Sequence, residues 1–320
     1  MTEITHRFVQ AGELRMHIAE AGSGPLVVLL HGFPETWYSW RHQLLALAAA
    51  GYHAVAPDQR GYGRTDQPDG VEDYTILHTV GDVMRLIDAL GAEHAVLAGH
   101  DWGGTVTWQA ALMRPDVVRG VVALGTPFQP HADGPHLAGV RAVAGADYER
   151  YYSVYVQRAG VADKELDEDP HASVRRALYG ASADGHPWSP VVPAGGHLLD
   201  IWQEPRELPG WLTREHIDMV AADFVRTGFT PALNWFRNFD RNWELTSPWH
   251  NAVVQQPALY LTGDRDLAGT LPGAAELIEN RSAAVPHARK SIVLGGCGHW
   301  TQQERPEEVS QAVIAFLGSL

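Results

Sequence analysis

Between residues 95 and 113 the chain passes from an apolar run, Ala95-Val-Leu-Ala98, through Gly99-His100-Asp101-Trp102-Gly103-Gly104 into Thr105–Met113, a stretch compatible with a helix. The order predicts a strand, a sharp turn and a helix. Small residues on both sides of such a turn let the backbone take conformations that a Cβ would forbid, so one larger side chain at the apex is raised clear of the sheet. Here that apex is Asp101, a carboxylate. On this segment alone Asp101 could simply cap the following helix; the rest of the chain decides.

The same alternation recurs along the sequence. Short apolar, β-branched runs predict strands at Arg15–Glu20, Pro25–Leu30, His53–Pro57, Ala95–Gly99 and Gly120–Leu124, then again at Ala258–Thr262 and Ser291–Leu294. Strands that alternate with longer Ala/Leu stretches belong to strand–helix units around a parallel sheet, the α/β class. Between Pro130 and Asn251 no comparable strands occur; Asp147–Ala159, Ser173–Tyr179 and Thr213–Thr227 read as helices joined by Pro/Gly-rich loops such as Pro187–Gly196. The expected organisation is a core of residues 1–129, a helical cap of residues 130–250 and the second part of the core in residues 251–320. With no linker, repeat or low-complexity tract, the cap is expected to pack on the core.

Composition removes several functions. Lys and Arg number 24 against 38 Asp and Glu, and the net charge of −14 repels nucleic-acid phosphates and anionic headgroups, so neither nucleic acid nor membrane is an expected partner. One cysteine, Cys297, permits no internal disulfide and reads as a small buried thiol. The N-terminus lacks the apolar core of a signal peptide and no run of about 18 apolar residues occurs, so a soluble cytoplasmic protein is expected, with a homodimer compatible. There is no His-Glu-x-x-His, and His131 and His136 lie in a Pro/Gly loop. A calcium-loop-like start at Asp264-Arg-Asp266 lacks oxygen ligands at Ala268 and Ala275. No phosphate loop or dinucleotide fingerprint appears. The expected cofactor set is none. The 11 tryptophans beside 10 tyrosines and 8 phenylalanines hint at a broad aromatic pocket.

A nucleophile raised on such a turn needs an acid and then a histidine further along the chain. Asp266 lies in Thr262-Gly-Asp-Arg-Asp-Leu267 and His299 in Gly295-Gly-Cys-Gly-His-Trp300, each just after a predicted strand. Asp264 is the rival acid. Upstream, His31-Gly32-Phe33-Pro34 follows another strand, where the backbone N–H of Phe33, with that of Trp102, would supply an oxyanion hole. His31 itself reads as a residue that holds its turn by hydrogen bonds.

Five segments now stand in order: His31-Gly-Phe-Pro-Glu-Thr-Trp-Tyr-Ser-Trp-Arg41, Asp58-Gln-Arg-Gly-Tyr-Gly-Arg-Thr65, Gly99-His-Asp-Trp-Gly-Gly104, Leu233-Asn-Trp-Phe-Arg-Asn238 and Gly298-His-Trp300. Together, over nearly the whole chain, they resemble the epoxide hydrolases of the α/β-hydrolase fold. The resemblance implies a mostly parallel sheet flanked by helices with an inserted helical cap, and a small-molecule epoxide as substrate. It implies that Asp101 is the nucleophile, His299 the base, Asp266 its orienting acid in preference to Asp264, and Phe33 and Trp102 the oxyanion donors. The family also places two cap tyrosines on the epoxide oxygen. The first matches Tyr152, with Tyr151 and Tyr155 close by in sequence; at the second this chain carries Phe236 where the family usually has Asn-Trp-Tyr-Arg-Asn. Trp37 and Phe236 are expected to line the substrate pocket, and Trp188 or His186 is an alternative donor. Haloalkane dehalogenases share the aspartate, histidine and acid; Phe33 stands where many of them carry an amide or acid. The missing tyrosine also admits a ligand-binding homologue weakened in catalysis, which the intact triad argues against.

Overall fold

A computed structural model describes residues 3–185, 188–270 and 283–320. Eight strands form one sheet in the order β1-β2-β4-β3-β5-β6-β7-β8. They are β1 (Thr5–Ala11), β2 (Leu14–Ala21), β3 (Leu26–Leu30), β4 (His53–Pro57), β5 (Ala95–His100), β6 (Val118–Leu124), β7 (Ala258–Gly263) and β8 (Ile292–Leu294). From β4 to β8 neighbouring strands run parallel, while β1 and β2 form an antiparallel hairpin that joins the sheet at β4.

A strand buried on both faces reads as a continuous apolar run, and β3, Leu-Val-Val-Leu-Leu, is buried at every position. Its residues alternate between two cores. Val28 and Leu30 belong to a cluster that includes Val106 and Ala110 of α3 (Trp102–Met113), with Val80 and Val83 of α2 (Ile76–Ala89). Val27 and Leu29 face Leu44 and Leu47 of α1 (Arg41–Ala49) and Val309, Val313 and Phe316 of the C-terminal helix Pro306–Leu317. Helices therefore cover both faces, as the alternation in the sequence predicts.

Between β6 and β7 the described elements are helical: α4 (His136–Ala144), α5 (Tyr152–Tyr155), α6 (Ala162–Asp167), α7 (Pro170–Gly180), α8 (Arg214–Thr227), α9 (Thr230–Arg237) and α10 (Phe239–Thr246), with short 3-10 turns. The predicted helix Asp147–Ala159 is instead broken. A 3-10 turn ends at Arg150, Tyr151 is extended (φ −64°, ψ 130°) and bridges Val191, and α5 starts afresh at Tyr152. Phe224, Phe229, Leu233 and Trp235 of this segment share one core cluster with Tyr62, Trp102 and Val106. Its inner anchor is ionic: Arg237, 5% exposed, is held by Asp163 through both carboxylate oxygens and donates to Val156 O at 3.1 Å. None of the described helices is long and apolar enough to cross a membrane.

Candidate active site

Between the end of β5 and the start of α3 stands Asp101 alone, at φ 52° and ψ −120°. A residue with a side chain seldom occupies that region, and holding it there costs on the order of 1–3 kcal/mol. The surrounding chain over-determines the turn: Asp101 N–H donates to Leu124 O at 3.3 Å, and its carbonyl accepts from Thr105 N at 3.1 Å and Thr126 Oγ1 at 3.0 Å. Two glycines are required by close approach. A Cβ on Gly103 would lie 2.1 Å from Leu30 O, and one on Gly32 would lie 2.4 Å from Asp101 Oδ1.

The carboxylate has two distinct oxygens. Oδ1 accepts the backbone N–H of Phe33 at 2.9 Å, whereas Oδ2 lies 3.6 Å from His299 Nε2. Trp102 is the first residue of α3, where a backbone N–H has no acceptor within the helix. On the other side of the imidazole, His299 Nδ1 donates to Asp266 Oδ1 at 2.8 Å. Asp266 follows β7 and also accepts from Thr262 Oγ1 at 3.1 Å and Ala268 N at 2.9 Å. The rival Asp264 is exposed and accepts from Cys297 N at 3.2 Å instead.

These contacts set the charges. Burial works against a protonated His299, but the negative charges of Asp266 and Asp101 outweigh it and hold its pKa well above the usual histidine value. Burial would likewise raise Asp101, yet its hydrogen bond and attraction to His299, with help from His100 and the Phe33 N–H, hold it below the ordinary carboxylate range. Both shifts favour an imidazolium between two carboxylates.

A second layer, absent from the sequence reading, fixes the first. Glu35, 1% exposed, accepts from Gly32 N at 3.1 Å, His100 Nδ1 at 2.8 Å, and the side-chain amides of Gln302 and Gln303 at 3.0 and 2.9 Å. His100 then donates through Nε2 to the backbone carbonyl of His299 at 2.8 Å. The sequence signal was present: a charged Glu35 and His100 inside motifs otherwise made of small and apolar residues. His31 bonds Gly32 O through Nδ1 at 2.9 Å and accepts Gln59 N–H at Nε2 at 3.0 Å, so both ring nitrogens are spent on the loop.

Asp101 and His299 open on one cavity. Phe33, Val156, Leu198, Ile201, Trp202, Leu233, Phe236 and Trp300 make its walls largely apolar, and Tyr152 and Trp188 also line it. Of the three neighbouring tyrosines, only Tyr152 is among the lining residues. Tyr155 donates to Glu165 at 2.5 Å, and burial and that carboxylate push its phenol up to about 12. The Tyr152 hydroxyl has no hydrogen-bond partner among the described residues; burial, Tyr151 and the charge of Asp101 all raise its pKa, so it stays a protonated donor at neutral pH. Phe236 packs edge-on at 5.2 Å against Phe33 and against Trp102. The expectation for Trp37 is corrected: it does not line this cavity. Its ring packs on His6 of β1 at 4.6 Å and its backbone N–H donates to Asp58 Oδ1 at 3.0 Å, because the turn after Thr36 directs it toward the antiparallel hairpin. His186 lies outside the described residues.

Comparison with known proteins points one way. A family model described as the alpha/beta hydrolase fold matches residues 25–169. Epoxide hydrolase A of Mycobacterium tuberculosis (strain ATCC 25618 / H37Rv) is 41% identical, covering 99% of this chain and 98% of its own. Among solved structures, an epoxide hydrolase of Vigna radiata matches with a TM-score of 0.93 at 38% identity, over 99% of this chain and 98% of that one. Epoxide Hydrolase A of Mycobacterium thermoresistibile matches with a TM-score of 0.91 at 44% identity, over 98% of each chain.

Proposed function

Since this chain belongs to the epoxide hydrolases of the α/β-hydrolase fold, we propose that it opens small epoxides to vicinal diols in two steps, with Asp101 as nucleophile and His299 as base. In this reading residues 1–129 and 251–320 are the core, residues 130–250 the cap over the cavity, and the enzyme works in the cytoplasm without a cofactor, as a monomer or homodimer.

The observation that carries the reading is the asymmetry of the Asp101 carboxylate. Oδ1 is already held by an N–H at 2.9 Å, so Oδ2 is the oxygen left to attack an epoxide carbon. As the ring C–O bond breaks, its electron pair stays on the oxygen, which takes the proton of Tyr152. Ring strain drives the displacement and an alkyl ester of Asp101 forms. Esterification removes one of the two charges that kept His299 protonated. Its proton then returns to the Tyr152 phenolate, and neutral His299, oriented by Asp266, deprotonates a water that attacks the ester carbon. The N–H groups of Phe33 and Trp102 hold the oxyanion on Oδ1. Collapse expels the second diol oxygen, which takes up the carboxyl proton, and the carboxylate–imidazolium pair is restored.

His299→Gln is expected to form the ester without hydrolysing it. Intact-protein mass spectrometry after exposure to a panel of small, aryl and polycyclic epoxides should show Asp101 carrying one substrate mass. Substrate turned over with no adduct at any time would overturn the two-step scheme.

A further inference from the structure

One hydrogen-bond donor in the cavity wall is left idle by the chemistry above. Trp188 lines the cavity with its ring T-shaped to Tyr152, centroids 5.9 Å apart and planes at 66°. Its indole N–H is buried and has no acceptor among the described residues. Two other buried tryptophans are satisfied: Trp235 donates to Arg60 O at 3.1 Å and Trp300 to Leu178 O at 2.6 Å. Trp40 and Trp211 also carry an unpartnered N–H, but neither lines the cavity. Leaving a donor buried without an acceptor costs about 1–3 kcal/mol, and most buried polar groups avoid it. The apolar side chains that share the lining, Val156, Leu198, Ile201 and Phe236, offer no acceptor. A substrate oxygen would.

We propose that the Trp188 indole N–H is a second donor to the epoxide oxygen, acting beside Tyr152 where Phe236 cannot. Tyr152 transfers its proton as the C–O bond breaks; Trp188 keeps its own and donates a hydrogen bond to the oxygen as negative charge builds there. The bond strengthens on going from neutral epoxide to alkoxide, so it lowers the barrier rather than only retaining substrate. This rests on the reading of Asp101 as nucleophile.

The test is the single-turnover rate of Asp101 alkylation in the His299→Gln protein, with and without Trp188→Phe, using styrene oxide and counting only Asp101 that becomes alkylated so that misfolded protein does not enter the rate. Trp188→Phe keeps an aromatic ring and removes the N–H. Alkylation should fall by about tenfold to a hundredfold, the range of one lost hydrogen bond to a developing charge. Hydrolysis of the ester, followed in protein with His299 intact, should stay within about twofold, and Trp188→His, which keeps a ring N–H, should recover part of the alkylation rate. Alkylation at an undiminished rate in Trp188→Phe overturns the proposal while leaving the nucleophile reading in place. An equal loss in both steps also overturns it, since that is what disturbed packing produces. Absence of ester in either protein overturns the nucleophile reading and this proposal with it.

Discussion

Neutralising Asp101 should release the proton that His299 holds. The two groups lie 3.6 Å apart, His299 Nε2 to Asp101 Oδ2. At an effective dielectric of about 20, unit charges at that separation interact by roughly 4–5 kcal/mol. The Asp101 side chain is 29% exposed, so solvent screens part of this, and the His299 pKa is expected to fall when that charge is removed. Asp101→Asn keeps the shape of the side chain and removes its charge, as esterification does. Long-range proton–nitrogen NMR of the imidazoles would follow the titration, the His299 signal being the one lost in His299→Gln. His299 should titrate at lower pH in Asp101→Asn than in the wild type, and the pH dependence of ester hydrolysis should follow the lower value. The sign also governs stability. Because the folded-state pKa of His299 is raised, its stabilisation is complete below the ordinary value of about 6.5 and is lost as pH rises through the raised one. An unchanged His299 titration in Asp101→Asn would refute the argument that the nucleophile's charge controls the base.

Three further outcomes are expected. Tyr152→Phe should slow alkylation by roughly 10²–10⁴-fold, the contribution of a positioned general acid, read by stopped-flow single turnover; a loss below about tenfold contradicts that role. Phe236→Tyr should leave alkylation of small epoxides unchanged or faster, and a large loss would show that the position needs an apolar ring. Arg237→Ala strands the buried Asp163 carboxylate, 6% exposed, and should destabilise the protein by about 3–5 kcal/mol; a denaturant midpoint near that of the wild type would count against the anchor.

The central sheet was legible because its strands are covered on both faces and so are written as apolar runs: His53–Pro57 is the observed β4 to the residue. β1 was not. Of Thr5–Ala11 only Val9 and Ala11 are buried, so this antiparallel edge strand has no apolar run to betray it. Between β6 and β7, the predicted helix over Asp147–Ala159 failed because local propensity does not register the extended Tyr151, which is held by its bridge to Val191. The proposed triad positions stood out since each acid or histidine lies within a few residues of a strand end. Glu35 and His100 did not, because their importance is a matter of which distant groups they meet: the partners of Glu35 include Gln302 and Gln303, near the opposite end of the chain.

The loop that carries His299 is gripped from two sides. Its backbone N–H donates to Ala181 O at 3.0 Å, in the segment between β6 and β7, while its carbonyl accepts from His100 at 2.8 Å in the core. Glu304 ties the same segments again, accepting from Ala183 N at 3.1 Å, Gly298 N at 2.9 Å and Trp300 N at 3.1 Å. A Cβ on Gly298 would fall 2.2 Å from Ala183 N, so the two backbones are pressed together. The segment that shapes the pocket is thus also a bearing for the His299 imidazole. Chimeras that exchange it between relatives will not change selectivity alone: a graft that reseats Ala181 re-aims His299, and engineered pockets will keep full turnover only where residues 181–183 and 298–304 are transplanted as a matched pair.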